Sequence, residues 1–83
     1  MKLLYFAWLK VKIGVAAEEV APPPEVTTVA ALLDWLEARG PGYAEALADR
    51  SALGVAVNQE FARPEEPVGP DDEVALFPPV TGG

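Results

Sequence analysis

The chain has 83 residues, which is the size of one small domain. It contains no cysteine and no histidine, which excludes disulfide bonds, zinc–thiolate sites, cysteine nucleophiles and imidazole bases. A net charge of −7 with only six basic residues excludes the basic surface that nucleic-acid binding needs. No segment can span a bilayer, and Lys10 and Lys12 interrupt the apolar N-terminus before any cleavage site. We therefore expect a cytoplasmic protein that binds neither nucleic acid nor membrane.

The N-terminal quarter of the chain reads as two strands. Residues 2–8 form an apolar, aromatic run that is typical of a buried, central strand. Lys10–Ile13 alternates polar and apolar side chains, which favours extended backbone, and Gly14 offers a turn. A second strand is expected around Val15–Val20, and Pro22–Pro24 ends any regular pairing.

An amphipathic helix follows the prolines. Either Thr27 or Thr28 can cap its N-terminus through a side-chain oxygen. One apolar stripe at helical spacing is formed by Val29, Leu32, Leu33 and Leu36. We expect Gly40 to cap the C-terminus, because Pro41 prevents continuation of the helix. Tyr43–Ala48 is expected to add a short helical turn.

The second half of the chain predicts three strands. Gly54–Val57 is a short strand, and the Asn58-Gln59 pair is a tight turn into Glu60–Ala62. Arg63–Asp72 is rich in proline and acid and is expected to be a loop. The run Glu73–Phe77 is a last strand, and the two prolines after it cannot donate to a ladder.

This order of elements predicts an α+β fold. One main helix covers one face of a small mixed sheet, which is the β-grasp, or ubiquitin-like, arrangement. Its first and last strands are then expected to be central, parallel neighbours. We assign residues 1–77 to this domain and residues 78–83 to an extended C-terminal diglycine tail.

The tail is built as a thin thread. It reads Pro78-Pro79-Val80-Thr81-Gly82-Gly83. The two prolines stiffen its root, and the two glycines carry no side chain that would block entry into a narrow active site. A glycine-containing terminus alone often has no role. The diproline directly after an apolar strand favours a carboxylate that another enzyme activates.

The last strand also predicts a docking surface. Since side chains alternate along a strand, Val74 and Leu76 share one face and Phe77 lies on the other. If the first two meet the helix, Phe77 is exposed on a face that would ordinarily be polar.

The last twelve residues, Asp72–Gly83, resemble the C-terminus of the MoaD/ThiS family of ubiquitin-like sulfur carriers, and of its MoaD branch in particular. Members of that branch are small subunits of molybdopterin synthase. Agreement extends to Tyr5–Ala7, Val29–Leu36 and Ala56–Glu60, so the resemblance spans essentially the whole chain.

The resemblance implies a chemistry for the tail. A MoeB-like E1 enzyme uses ATP to adenylate Gly83, and a sulfurtransferase then converts it to a thiocarboxylate. Gly82 threads into the active site of a MoaE-like large subunit. Sulfur then passes from Gly83 to cyclic pyranopterin monophosphate and forms the dithiolene of molybdopterin. The complex is a heterotetramer with two copies of each subunit. The chain binds no cofactor or metal and is enzymatic only as the sulfur-donating subunit.

The resemblance also implies which residues contact partners. They are Phe6, Phe61 and Phe77, together with Pro78, Pro79, Val80 and Thr81 of the tail. The family often has a short charged helix after its first strand, whereas Lys10–Ile13 can remain extended here. The prolines at 22–24 are a second departure and reshape a loop.

Other functions stay open at this stage. A thiamine-pathway carrier of the ThiS type and a ubiquitin-like modifier share the diglycine ending, and a passive adaptor would have an inert tail. An independent enzyme could use paired carboxylates such as Asp71/Asp72 or Glu65/Glu66. Neighbouring acids in a loop more often form a solvated charge run, because acid–base pairs need opposed positions in a pocket.

Overall fold

The computed structural model describes residues 1–79. Its helices and strands are β1 (Lys2–Tyr5), α1 (Trp8–Ile13), β2 (Ala17–Glu19), α2 (Val29–Glu37), α3 (Pro41–Ala46), β3 (Gly54–Val57), β4 (Glu60–Phe61) and β5 (Glu73–Phe77), with a short 3₁₀ turn at Arg50–Ala52. The strands form one mixed sheet in the order β2-β1-β5-β3-β4. With α2 packed on one face of that sheet, the predicted α+β, β-grasp fold is confirmed.

The centre of the sheet is a parallel pair formed by the first and last strands. Leu3 lies beside Val74, and Tyr5 lies beside Leu76. All four side chains are buried against the apolar stripe of α2. The predicted central, parallel pairing is therefore confirmed, and the helix side of the sheet is the core.

The N-terminus of α2 is fully hydrogen-bonded, as the first turn of a buried helix requires. Thr28 is the cap: its Oγ1 accepts a hydrogen bond from Ala31 N at 3.2 Å. The first two amides of the helix instead donate to the loop before β5, Val29 N to Glu66 O at 2.9 Å and Ala30 N to Pro64 O at 2.8 Å. The acidic, proline-rich loop is thereby fixed across the end of α2.

The segment after β1 differs from the prediction. The expected strand over residues 2–8 and the expected extended Lys10–Ile13 were wrong, because β1 ends at Tyr5 and Trp8–Ile13 is helical. Leu9 is fully buried and Ile13, four residues later, packs on the core, so one helical face is anchored. Gly14 ends the helix in the left-handed region at φ 100°.

The end of α2 also differs. Gly40 does not cap this helix; α2 ends at Glu37, with Ala38 in the capping position. Gly40 instead precedes α3, whose first residue is Pro41. Proline favours the first helical position, since its fixed φ suits a helix and its missing N–H has no partner there anyway. It therefore starts a helix as well as preventing the previous one from continuing.

A half-buried carboxylate ties the edge strand to the helices. Glu18 Oε2 accepts hydrogen bonds from Tyr5 OH at 2.6 Å and from Tyr43 OH at 2.7 Å. The Arg39 guanidinium lies 3.2 Å from the other oxygen of Glu18 and stacks over the rings of Trp35 and Tyr43. The Glu18 carboxylate on β2 thus links this strand to β1 and to helix α3.

Opposing effects set the acidity of this cluster. Burial alone would raise the pKa of Glu18, but the hydrogen bonds from Tyr5 and Tyr43 and the charge of Arg39 outweigh it and lower that pKa. Burial and the hydrogen bond to Glu18 raise the pKa of Tyr5. The carboxylate is therefore charged, and the Tyr5 hydroxyl keeps its proton.

We predict that Glu18→Gln lowers the free energy of unfolding near neutral pH by about 1–3 kcal/mol, because the hydroxyls and Arg39 lose a charged acceptor. A carboxyl whose pKa is lowered by folding stabilises fully above its ordinary value of 4.5 and loses that contribution as the pH falls through the lowered value. The difference between variant and parent should therefore shrink below that pH in urea titrations. Glu25→Gln, at an exposed site, is the control; a difference that does not vary with pH would contradict the prediction.

The C-terminal end of the fold is described only in part. β5 ends at Phe77, and Pro78 and Pro79 follow it. Val80, Thr81, Gly82 and Gly83 lie outside the described residues, so the division into residues 1–77 and 78–83 stays a prediction. Within residues 1–79 no helix is both long and apolar enough to cross a membrane.

Candidate functional site

The side of the sheet that faces away from α2 is apolar near the tail. A row of small and apolar side chains crosses four strands, since Leu4 lies beside Ala75, Ala75 beside Ala56, and Ala56 beside Phe61. Together with Phe6 and Phe77 these four form what we call the apolar outer face. An exposed sheet side is ordinarily polar, so this composition indicates a contact surface.

Phe77 belongs to this face and not to the core. Val74 and Leu76 are fully buried, whereas Phe77 is only partly buried, so the predicted alternation is confirmed. Phe77 pairs with Gly54 on β3, and a Cβ built at Gly54 would overlap its ring, 2.7 Å from Cδ2. The ring therefore lies over Gly54 of β3, 5.8 Å from the ring centroid of Phe61.

Two other predicted contact residues lie on either side of Phe77. Phe61 is 79% exposed on the edge strand β4, and Phe6 is 49% exposed just after β1. The backbone of Phe6 is fixed next to β5, because its N–H donates to Leu76 O at 3.1 Å. The structure thus gathers the three phenylalanines at the carboxyl end of β5, while their role in partner binding stays a prediction.

The opposite end of the same sheet side is charged. Lys2 lies between Glu19 on β2 and Glu73 on β5 in the strand register. Apolar character therefore increases along the strands towards the root of the tail. Of the predicted tail contacts, Pro78 is partly buried and Pro79 exposed, and the other two, Val80 and Thr81, lie outside the described part of the chain, as do Gly82 and Gly83.

The apolar outer face contains no ionisable side chain. Its six side chains are those of leucine, alanine and phenylalanine: Leu4, Phe6, Ala56, Phe61, Ala75 and Phe77. Among the described residues, no cluster of three or more acidic side chains is arranged to hold a metal ion. This face can bind a partner, but it offers no acid, base or nucleophile.

A groove lies beside Phe61. It has a volume of about 310 Å³, lies between α2 and β4, and is lined by one cation, Arg50. That guanidinium is already paired with Asp34 at 2.9 Å and with Glu37 at 3.1 Å. Arg50, the one cation that lines this groove, therefore already has two carboxylate partners.

Sequence reasoning missed part of the face. Leu4, Ala56 and Ala75 were not predicted as site residues, because their shared side depends on strand order and register. Gly54 was read only as part of a strand. The signal that could have found them is the alternation of each strand combined with the predicted β1–β5 pairing.

We predict that Gly54→Ala breaks the ring contact between Phe61 and Phe77, because the ladder holds position 54 in place and the Phe77 ring must move. The cost should be about 1–3 kcal/mol of unfolding free energy, as for overpacking elsewhere. Ring-to-ring nuclear Overhauser effects and urea unfolding measure the two effects. At Gly69 a Cβ would meet only Asp72 Oδ2 at 3.8 Å, so Gly69→Ala is the matched control. Unchanged ring contacts in Gly54→Ala would show that the packing is looser than described.

Comparison with known proteins gives a consistent set of similarities. A family model described as the ThiS family matches residues 3–83. The "Molybdopterin synthase sulfur carrier subunit" of Escherichia coli (strain K12) is 42% identical over 83 residues, which is 100% of this chain and 99% of that protein. The Haemophilus influenzae protein of the same name is 37% identical with the same coverage. The crystal structure of small archaeal modifier protein 1 from Haloferax volcanii is 31% identical, with a TM-score of 0.74 over 96% of this chain and 97% of that one.

Proposed function

The chain belongs to the ThiS family, and we propose that it is the sulfur-carrier subunit of a molybdopterin synthase. The observation that carries the proposal is full-length similarity to two bacterial proteins of that name. The geometry agrees with it, since an apolar contact face lies at the root of a diglycine tail. The cell compartment we assign to this role is the cytoplasm.

The reactive group in this proposal is the carboxylate of Gly83. A carboxylate is a poor acyl donor, so an E1-like enzyme first joins it to AMP, and pyrophosphate leaves from ATP. A sulfur nucleophile supplied by a sulfurtransferase then displaces AMP, which leaves a thiocarboxylate. Because the apolar outer face offers no acid, base or nucleophile, these steps belong to the partners.

The large subunit receives the charged tail. In our proposal it covers the apolar outer face, and two copies of each subunit form the synthase. Four residues follow Pro79, and a fully extended chain spans about 3.5 Å per residue, so Gly83 can reach roughly 14 Å beyond the prolines. Because the two glycines carry no side chain, the end of the tail is narrow enough to enter a buried active site.

The sulfur acceptor is cyclic pyranopterin monophosphate, and two transfers form the dithiolene of molybdopterin. This substrate carries an anionic phosphate, yet the chain has a net charge of −7 and its groove arginine, Arg50, is already paired. Recognition of the phosphate is therefore assigned to basic side chains of the large subunit. The carrier contributes sulfur and a docking surface.

A second candidate is a protein modifier that forms an isopeptide bond between Gly83 and a lysine. The similarity to small archaeal modifier protein 1 favours it. Both candidates need the same activated carboxyl group, so they differ only in the acceptor. Mass spectrometry of the product separates them, because a modifier yields a larger conjugate and a carrier yields a thiocarboxylate.

We predict that the chain, incubated with ATP, a sulfur source and its cognate adenylating enzyme, gains the mass of one oxygen-to-sulfur exchange at Gly83. Intact-protein and C-terminal peptide mass spectra locate the exchange. A variant lacking Gly83 should keep its unfolding curve and fail to support molybdopterin synthesis. Synthesis at the normal rate by the truncated chain would disprove the assigned role of the tail.

We predict that Phe61→Asp weakens binding to the cognate large subunit at least about tenfold, because it buries a charge in an apolar contact. Phe61 is exposed, so the thermal unfolding temperature should change little. Ala21→Asp adds the same charge at an exposed site near the charged end of the sheet and serves as the control. Equal affinity of Phe61→Asp and the parent chain would show that the large subunit docks elsewhere.

A further inference from the structure

A groove walled by prolines lies at the end of the sheet opposite to the tail. Its volume is about 570 Å³, within the range of roughly 300–1,000 Å³ that is usual for ligand sites. Its walls come from the loop after β2, including all three prolines at 22–24, and from Val68–Pro70 of the loop before β5. Met1, Val20 and Val68 are buried at its base. We call this site the proline groove.

Backbone hydrogen bonds hold the two loops of the proline groove together. Val68 N donates to Thr27 O at 3.0 Å, and Val26 N donates to Pro23 O at 3.0 Å. The prolines have a fixed φ, and they carry no N–H that a bound apolar group would leave unpaired. The groove is therefore formed before a ligand arrives, which lowers the entropy lost on binding.

The outer wall of the groove is specific to this chain. Ala21, Pro23 and Pro24 are exposed, whereas an apolar wall of this kind is stabilised by a partner that covers it. The prolines at 22–24 are also one of the two places where the chain departs from the family that it resembles. A role for this groove is therefore separate from the chemistry of the tail.

Carboxylates border the proline groove. Glu19 precedes Val20, Glu25 lies between two lining residues, and Asp71 follows Pro70. All three carboxylates are exposed, and among residues 1–79 neither Glu25 nor Asp71 forms an ion pair. A complementary ligand is therefore apolar at its centre and positively charged at its ends.

Two positive charges near the groove are already balanced. The amino group of Met1 is buried, donates to Val20 O at 3.0 Å and lies 3.9 Å from Glu19. Lys2 lies between Glu19 and Glu73 in the strand register. Neither charge reverses the acidic character of the border.

The position of the groove leaves the tail accessible. In the parallel pair of β1 and β5, Lys2 lies beside Glu73 at one end and Tyr5 beside Leu76 at the other. The groove adjoins the Lys2 end, whereas the tail follows Phe77 at the Leu76 end. A ligand in the groove therefore covers neither the apolar outer face nor the root of the tail.

We propose that the proline groove binds an extended segment of a partner protein in which an aromatic side chain is flanked by lysine or arginine. Aromatic rings pack on proline in sites that recognise proline-rich segments, and a buried ring contributes much of the affinity of a small contact. The flanking cations lie against Glu19, Glu25 and Asp71. Such a partner stays bound while the tail reacts elsewhere. This inference does not depend on the proposed function, because the groove and the tail are at opposite ends.

The test titrates the full, unmodified chain with the peptide acetyl-Lys-Arg-Trp-Lys-amide and follows backbone amide shifts by NMR. Saturable shifts are expected at Ala21, Val26, Thr27 and Gly69, with a Kd below about 1 mM. Phe61 and Phe77 should not shift. A peptide with serine in place of tryptophan, and one with glutamate in place of the basic residues, should each bind at least about tenfold more weakly.

Variants of the chain test the charged border. Glu25→Lys and Ala21→Lys should each weaken binding of the tryptophan peptide about fivefold to tenfold at low salt and less at high salt, since exposed charges are screened. Glu60→Lys is the matched control, because it makes the same charge change at an exposed residue of β4, on the opposite edge of the sheet. It should bind as the parent does, and circular dichroism checks that all variants fold.

Three results would overturn the inference. The first is the absence of saturable shifts at about 1 mM peptide. The second is equal binding of the serine peptide, or an equal loss in Glu60→Lys, since either would mean general attraction to an acidic chain. The third is a shift of Phe61 and Phe77 in place of the groove residues, which would put the peptide on the apolar outer face.

Discussion

β1 and β5 lie side by side in parallel at the centre of the sheet, with Leu3 against Val74 and Tyr5 against Leu76. Parallel neighbours need a long crossover, so every other element lies between them in the chain. The same pairing puts the last strand in the middle of the fold, and the tail leaves from there instead of from an edge. The apolar outer face borders that exit because of this arrangement.

Much of this architecture could be predicted from the sequence. Gly54–Val57 and Glu73–Phe77 are strands with the bounds that alternation and proline indicated. The apolar stripe of α2 was predicted, and its cap, Thr28, is one of the two threonines that the sequence offered. The Asn58-Gln59 turn was also correct, and both residues adopt positive φ. These elements share strong local signals that agree with their burial, as expected where local and global preferences coincide.

The failures have physical reasons. Lys-Val-Lys-Ile fits a strand by alternation and a helix by the spacing of Leu9 and Ile13, and only packing on the core decides between them. Nothing in the sequence of the loop before β5 indicated that its carbonyls accept hydrogen bonds from the first amides of α2. A family resemblance indicated Phe6, Phe61 and Phe77 as contact residues, and the alternation of side chains along the last strand indicated Phe77 as well. The role of Gly54 could not be predicted in this way, because it depends on the register of β3 against β5. Val80–Gly83, the last four of the twelve residues that carry most of the family resemblance, lie outside the described residues.

One side of the sheet changes from charged to apolar along the strands, from Lys2, Glu19 and Glu73 at one end to the phenylalanines at the other. An apolar partner surface laid over it in the reverse direction would cover a lysine and two carboxylates without replacing their water, which is costly. The face therefore favours one orientation of a bound partner as well as one position. A partner bound in that orientation meets the end of β5, from which the tail continues, at the same position at every encounter.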